Sequence, residues 1–582
     1  MQTMCDSHFI SSVPLSLSSV RARVEAFLAA SGLRMAPLDY YAVITRSEEN
    51  DEILAGGGLE GNVIKCIAVS EAARSEGLTN KLVSHLIGVA MDNGHESVKV
   101  FTKPGNLDIF SSLGFKLLAS SPEAILMENG LTGLRSYCRY LSSLRREGCN
   151  GAVVMNANPF TRGHRYLIEQ AAAQVDNLYV IAVKEDRSRF PYAERLAMIK
   201  AGTADIPNVT VCEGSDYAIS AATFPTYFLK KLDSASDTYM TLDLDLFAAH
   251  LAPALGVTIR FAGSEPKDML TRRYNGLMSE ILPAKGIQFV EIQRLEDGKT
   301  PISASEIRNS LDDGRPENAF MLAYETSLPY LAADLAQQAL RKELDTTPKP
   351  GLVDREDSGA HSDMDYGTMV RSIQALRPYF TSIAVSAVDG PDTERIRQIG
   401  VEAEKAMLMA TRGVNTHKGA LFCLGLSVAA VSHLLSSEGR VEESRFRELL
   451  SHMALGIPSA KDTHGAGAIE TYRVPGALEN ARRAYPELFS DWLPYYNSLS
   501  DDQYREHRTL LKIMTTLEDT NILHRNGSDG LHRVKTDAAA LLADFSVDRL
   551  SELNNEYKAS NTSPGGSADM LSLTIFITNF IN

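Results

Sequence analysis

The stretch "NPFTRGH", residues 158–164, decides how the fold is read. It follows "GAVVM" (151–155), a short apolar run that reads as a strand. It precedes "RYLIEQAAAQV" (165–175), whose apolar spacing is helical. Pro159 and Gly163 break the chain between the two. A strand that ends in Pro-Phe-Thr-x-Gly-His and opens a helix presents backbone N–H groups at a helix N-terminus, where phosphate binds. Gly163 lets a nucleotide approach the backbone, and His164 can donate to a phosphate oxygen as charge develops on it. The same residues, taken alone, also make a helix cap followed by a surface histidine.

On either side of this crossing the pattern repeats. "NLYVIAV", "VTVCEG", "DTYMTLDLDLF", "TIRFAG" and "IQFVEIQ" alternate with helical segments up to about residue 325, which argues for a parallel α/β sheet. Upstream, "YYAVITRSEENDEILAGGGLEGNVIKCIAVS" (40–70) reads as hairpins of an antiparallel sheet, and "TNKLVSHLIGVAMDNG" as a helix ending at Gly94. From about residue 327 helical periodicity dominates, broken by polar Gly/Pro-rich loops. The expectation is a multidomain α/β plus all-α chain with domains at 1–145, 146–326 and 327–582, and "LDDGRPENA" (311–319) as the nearest linker candidate.

The bulk numbers agree with several domains: 582 residues, 44% hydrophobic and 23% charged. A net charge of −15 disfavours nucleic acid as a partner. The six cysteines have no CxxC spacing, so neither a disulfide framework nor a zinc site is expected. The first twenty residues lack a basic region followed by an apolar core. "GALFCLGLSVAAVSHLL" (419–435) is shorter than the ~20 residues that span a bilayer and reads as a buried helix. A cytoplasmic protein with no membrane partner is expected.

A second motif, "ISASEIR" (302–308), offers hydroxyls of Ser303 and Ser305, helix-start amides, and Arg308 as a cation for departing phosphates. Alone it is a helix cap with a surface arginine. In this order on an α/β pattern, the two motifs resemble the nucleotidyltransferase superfamily, with Thr161 standing at the first histidine of its HxGH. The wider stretch 151–202 closely resembles the citrate lyase ligase family. That resemblance implies a Rossmann-like domain that adenylates acetate with ATP and passes the acetyl group to the thiol of the prosthetic group on the citrate lyase acyl carrier subunit. It implies ATP contacts at Asn158, Thr161, Gly163, His164, Lys184, Ser303, Ser305 and Arg308, with His164 catalytic. Lys184 and Arg187 would screen the repulsion between acetate and ATP, or are solvated loop charges.

Residues 66–119 resemble a GNAT acetyltransferase core, whose R/Q-x-x-G-x-G/A turn here reads Arg74-Ser-Glu-Gly77-Leu-Thr79. Thr79 replaces the usual small residue and Glu76 adds a negative charge. Such domains accompany the ligase family, and docking of the CoA-like prosthetic arm at Arg74 and Gly77 is the expectation, against a purely structural role.

Four loops of the last region are dense in functional groups: "TTPKPGLVDREDSGAHSDMD" (346–365), "TRGVNTHKGALF" (411–422), "LEDTNILHRNG" (517–527) and "SPGGSADML" (563–571). Carboxylates, cations and glycine turns are what a magnesium–triphosphate site needs. Together the loops closely resemble triphosphoribosyl-dephospho-CoA synthase, which joins ATP to dephospho-CoA and expels adenine. That reaction needs a carboxylate to take a hydroxyl proton. Asp363, Asp365, Glu470 and Asp519 are unranked candidates for base, with Asp363, Asp365 and Asp519 as metal ligands. Lys349, Arg355, Lys418, Arg525, Gly565 and Gly566 are candidates for the triphosphate. In "THGAGAIETY" (463–472) only Gly467 and Glu470 match the turn the family implies. The whole reads as a fusion of the two enzymes, using ATP with Mg²⁺, acetate and dephospho-CoA, and no tightly bound organic cofactor. The alternatives are a nucleotide-forming adenylyltransferase in the middle, or a C-terminal half serving malonate decarboxylase.

Overall fold

The computed structural model describes residues 8–47, 52–74, 76–185, 188–217, 229, 235–266, 268–297, 300–458 and 470–581. Arg187 and Gly467 lie outside them. The chain divides into two compact units, one of residues 1–158 and 162–302, the other of 159–161 and 303–582. The division therefore falls at 302/303, ahead of "LDDGRPENA", which is spent on the end of one helix and the start of the next.

Among the described residues the first unit holds two large sheets and a two-stranded ribbon of Glu296–Asp297 and Thr300–Pro301. Seven strands, β1 (Phe9–Ser12), β2 (Tyr40–Thr45), β3 (Ala55–Glu60), β4 (Val63–Val69), β5 (Ser97–Thr102), β6 (Lys116–Ser120) and β7 (Ile125–Gly130), lie in the order β1-β2-β3-β4-β5-β7-β6. All pairs are antiparallel except β4–β5, which are parallel and bonded over only Val63↔Lys99 and Ile64↔Val100. Beyond that short pairing the two strands part. The helix Leu78–Asp92 buries Leu78, Leu82, Val83, Leu86 and Ala90, a helical stripe that covers the sheet.

The second sheet is parallel throughout: β8 (Asn150–Met155), β9 (Asn177–Ala182), β10 (Val209–Cys212), β11 (Val257–Gly263) and β12 (Gln288–Ile292), in the order β10-β9-β8-β11-β12. Both faces are covered, so strands such as β9 are buried at every position and read as unbroken apolar runs. The strand order reverses at β8. Ligands of open α/β sheets bind outside the carboxyl ends at such a switch point, and residues 156–164 leave β8 there.

One expected strand is a helix. "DTYMTLDLDLF" lies in the helix Ala235–Leu246, its last residue Phe247 starting the π-helical turn Phe247–Leu251. Its alternating Leu-Asp-Leu-Asp has the period of a strand, but burial of Tyr239, Met240, Leu242 and Leu246 against the first unit's core decides the matter.

The second unit is helical. Helices Leu328–Asp345, Tyr366–Ser386, Thr393–Ala410, Lys418–Glu438, Arg505–Thr516, Thr520–Ala543 and Gly565–Ile577 form its body. Lys418–Glu438 is long and apolar enough to cross a membrane, yet most of it is buried among the other helices, as expected of a core helix.

Candidate functional sites

The strand-to-helix crossing is built as the motif demands. β8 ends at Met155, Ala157 takes a left-handed φ of +47°, and the helix Arg162–Ala172 begins at the motif's arginine. A non-glycine residue at positive φ is uncommon and concentrates at functional turns. Arg195, fully buried, braces the turn: Nη1 donates to Asn156 Oδ1 at 2.6 Å, Asn156 O at 2.8 Å and Val183 O at 2.9 Å. Its Nε donates to Phe190 O at 3.0 Å, and Phe190 N donates to Asn158 Oδ1 at 3.1 Å. The turn after β8 and the loop after β9 are thus one bonded assembly. Nothing in "YAERLAMIK" marks Arg195 for this duty, because these partners, backbone carbonyls and the Asn156 side chain, lie outside that stretch. Gly163 and His164 lie half-buried in the first turn of the helix, and Lys184 pairs with Asp216 at 3.1 Å.

The unit boundary passes through the motif. Asn158, Gly163 and His164 belong to the first unit; Thr161 belongs to the second with Ser303, Ser305 and Arg308. Within the second unit Thr161 is buried and bridges to Ala323, while Phe160 O accepts from Ser327 Oγ at 2.8 Å. Ser303 caps the helix Ala304–Asp312 by accepting from Ser305 N at 3.1 Å, and Arg308 Nη2 donates to Ser305 Oγ at 2.9 Å.

Three of the four C-terminal loops meet. His361 Nε2 lies 2.9 Å from Ser563 Oγ and its Nδ1 3.8 Å from Asp363 Oδ1. Arg525 Nη1 donates to Ala360 O at 3.2 Å and to Asn561 Oδ1 at 3.0 Å. Burial and the Arg525 charge hold His361 below the usual imidazole range. Asp519 is buried. Its carboxylate accepts from Asn521 N at 3.0 Å, Ser567 N at 2.9 Å and Ser567 Oγ at 3.1 Å. Gly566 has to be small here, because a Cβ would stand 3.0 Å from the Asp519 carboxyl carbon. Burial pushes the Asp519 carboxyl up despite these donors.

A neighbouring acid, Asp569, was not among the candidates. Desolvation and then the charges of Asp519 and Glu343 push it well above the usual carboxylate range. Gly419 approaches so closely that a Cβ would sit 2.0 Å from Asp569 Oδ2. The sequence signal was an acid one turn into a helix opened by Gly-Gly. His417, also buried, bonds through Nδ1 to Ser372 Oγ at 2.7 Å, and burial with the nearby Lys349 charge lowers it to about 3.

Other candidates have different surroundings. Lys349 is 1% exposed and its ammonium is 2.5 Å from Glu343 Oε1, an interior ion pair. Asp365 caps the helix Tyr366–Ser386, accepting from Thr368 N and Thr368 Oγ1 at 2.7 Å, bonds that hold its carboxyl down. Arg355 pairs with Asp345 at 2.7 Å and Lys418 with Glu404 at 2.6 Å, both partly exposed. Gly565 and Gly566 open the helix Gly565–Ile577. Glu470 is exposed beside residues 459–469, which lie outside the described residues. Asp363, Asp365 and Asp519 do not converge: among the described residues no three His, Cys, Asp or Glu side chains are placed to hold a metal ion.

In the first sheet, the parting of β4 and β5 leaves a cavity of about 230 Å³ lined by Ile67, Val69, Arg74, Thr79, Phe101 and Lys103. Gly77, at φ +70°, starts the helix Leu78–Asp92 beside it. Glu76 is engaged by His8 Nε2 at 2.6 Å and Arg46 Nη2 at 3.2 Å.

Comparison with known proteins covers both units. Residues 150–331 match the citrate lyase ligase C-terminal domain, and residues 329–582 match ATP:dephospho-CoA triphosphoribosyl transferase. A [citrate [pro-3S]-lyase] ligase of Escherichia coli K12 is 46% identical over 47% of this chain and 79% of its own. Its counterpart in Haemophilus influenzae is 39% identical over 53% of this chain and 94% of its own. A 2-(5''-triphosphoribosyl)-3'-dephosphocoenzyme-A synthase of Haemophilus ducreyi is 34% identical over 48% of this chain and 97% of its own. The chain belongs to two families joined end to end, the citrate lyase ligases and the triphosphoribosyl-dephospho-CoA synthases.

Proposed function

We propose that this chain is a bifunctional maturation and activation enzyme of citrate lyase. The observation that carries this is the near-complete coverage, in one chain, of a ligase and a synthase relative. In the first activity an acetate oxygen bonds to the α-phosphorus of Mg–ATP, the α–β bond breaks, and pyrophosphate leaves. The thiol of the prosthetic group on the acyl carrier subunit then takes the acetyl group and AMP departs. Asn158, Thr161, Gly163 and His164 would receive the nucleotide at the end of β8, in a Rossmann-like nucleotidyltransferase domain. His164 would stabilise charge on the phosphates as pyrophosphate leaves; Ser303, Ser305 and Arg308 are the candidate phosphate contacts of the second motif. Lys184 would screen the approach of two anions.

In the second activity the 2′-hydroxyl of dephospho-CoA bonds to C1 of the ATP ribose, and the bond to adenine N9 breaks. The hydroxyl proton goes to a carboxylate and adenine leaves protonated from solvent or from an enzyme acid. Asp519 and Asp569, whose carboxyls are both raised, form the pair best suited to share that proton. Arg525, Lys418, Arg355 and the turn at Gly565 and Gly566 are the triphosphate candidates. Lys349 would act by holding the loop 346–365, through Glu343 and Asp354, rather than by touching phosphate. Magnesium enters as part of the Mg–ATP substrate.

The GNAT-like domain would dock the pantetheine arm of the prosthetic group in the β4–β5 cavity, with Arg74 at its rim and Gly77 at the helix start. The reading is tested with purified protein. Acetate label should appear on the thiol-form carrier only with ATP, and dephospho-CoA should gain the mass of a triphosphoribosyl group. A free dinucleotide product, with no labelled carrier, would overturn the first assignment.

A further inference from the structure

The second unit holds two buried hydrogen-bonding groups that its own described atoms do not use. The first is on His417, which is 3% exposed. Its Nδ1 lies 2.7 Å from Ser372 Oγ, and Ser372 Oγ accepts from Thr416 Oγ1 at 2.7 Å. Were Nδ1 the donor, the buried Ser372 hydroxyl proton would have no acceptor among the described residues. Ser372 therefore donates to Nδ1, and the ring proton sits on Nε2. Burial, with the nearby Lys349 charge, keeps the ring neutral. Nε2 is buried and meets no partner among the described residues.

The second is the hydroxyl of Tyr485. This residue is 2% exposed, and its Oη has no partner among the described residues. Its backbone, by contrast, is engaged: Tyr485 N donates to Asn480 O at 2.9 Å, and Leu488 N donates to Tyr485 O at 3.0 Å. Ala484 and Tyr485 take left-handed φ of +53° and +45°, and Pro486 follows. Two successive non-glycine residues in that region are strained, and such strain persists only where the surroundings over-determine it.

Asp569 links the two. Gly419, two residues after His417, lies against the Asp569 carboxylate. Cys423 Sγ donates to Asp569 O at 3.9 Å. The helix Lys418–Glu438 carries Gly419 and Cys423. It packs against Gly565–Ile577, which carries Asp569, and against Ala477–Arg482, which leads into the Tyr485 turn. Burial first, then the charges of Cys423 and Asp569, push the Tyr485 hydroxyl well above the ordinary phenol range. Both unspent groups are thus neutral donors. A triphosphate is met by cations. Neutral donors suit an uncharged heteroaromatic base, whose ring nitrogens accept in the plane and gain negative charge as the base departs. Asp569, Gly565 and Gly566 are half-buried, which gives the cluster a side that substrate can reach.

We propose that Tyr485 and His417 form the leaving-group subsite of the synthase, donating to ring nitrogens of adenine as its bond to the ribose breaks. The inference rests on the synthase reading above and adds the groups that would hold its departing base. The 2′ oxygen gives an electron pair to C1 and N9 keeps the pair of the broken bond. The proton that the hydroxyl loses to the acid pair balances the one adenine takes up. Tyr485 and His417 keep their own protons throughout.

The experiment uses the full-length protein. Adenine release from Mg–ATP and dephospho-CoA is measured for wild type, Tyr485→Phe and His417→Asn, with saturation-transfer NMR of free adenine on each. Removing one donor that acts on developing charge predicts a kcat lowered about 10²–10³-fold in either variant, with the KM for dephospho-CoA unchanged. The adenine signal should fall in both. Tyr485→Phe removes an oxygen that bonds nothing within the described protein, so its unfolding midpoint should stay at the wild-type value or rise. An unchanged kcat and unchanged adenine transfer in the folded variants overturn the proposal. A raised KM for ATP with unchanged adenine transfer also overturns it, because the donors would then serve phosphate. No adenine release from wild type, with adenine transfer lost in both variants, would leave the subsite standing and defeat the synthase reading.

Discussion

At the scale of single residues, the second unit places ionisable groups where water would not have put them. Asp519 is buried under Gly566 and ringed by donors, and Asp569 is raised beside it. If the pair takes the hydroxyl proton, Asp569→Asn should lower the rate of adenine release about 10²–10⁴-fold while acetate activation stays at the wild-type rate. Chromatographic assay of both products checks it. His417 makes a different prediction. It titrates near 3 when folded and near 6.5 when unfolded, so between those values the unfolded chain holds an extra proton. Stability is therefore lost as pH falls from about 6.5, at up to about 1.4 kcal/mol per pH unit for this one group. His361 and His507, both held down by burial, add the same sign. Thermal unfolding followed from pH 7.5 to 5 should show the drop, and His417→Asn should flatten it. Residue roles were the least legible part of the sequence. Asp365 carried a motif's look, but Asp followed three residues later by Thr is also how a helix starts. Lys349 looked like a phosphate ligand because its partner, Glu343, is hidden in the preceding helix.

At the scale of elements, the sequence was far more informative where punctuation and periodicity agreed. "NPFTRGH" was read as a strand-to-helix crossing and is one; "SPGGSADML" and "THKGALF" open helices as expected. The failure, Ala235–Leu246, came where period-2 alternation met tertiary packing and lost. Close approaches of backbone set the sharpest constraints at this scale. Gly214 must lie against Ala182 O for the β9 and β10 ends to meet, so Gly214→Ala should destabilise the first unit by about 1–3 kcal/mol through overpacking. A lower unfolding midpoint in denaturant, with adenine release intact, is the expected outcome. Gly419→Ala should instead spare acetate activation and damage adenine release, because its Cβ would displace the Asp569 carboxylate.

At the scale of the whole molecule, two families of separate chemistry are joined on one chain. Both family assignments were legible because each rests on several loops in order rather than on one motif. The finer boundary at 302/303 was not legible, since "ISASEIR" looks like the end of one nucleotide site and is also the first helix of the next unit. If the activities are independent, His164→Asn and Asp519→Asn proteins should each lack one activity, and a mixture of the two, supplied with a separate enzyme that attaches the precursor to the carrier, should mature apo-lyase at a rate near that of wild type. That one chain performs both reactions is tested by chromatography of the purines formed from Mg–ATP by the purified protein. Dephospho-CoA alone should yield free adenine and no AMP; acetate with the thiol-form carrier should yield AMP and no adenine. Failure of either pairing, with the protein folded, would contradict the two-enzyme account.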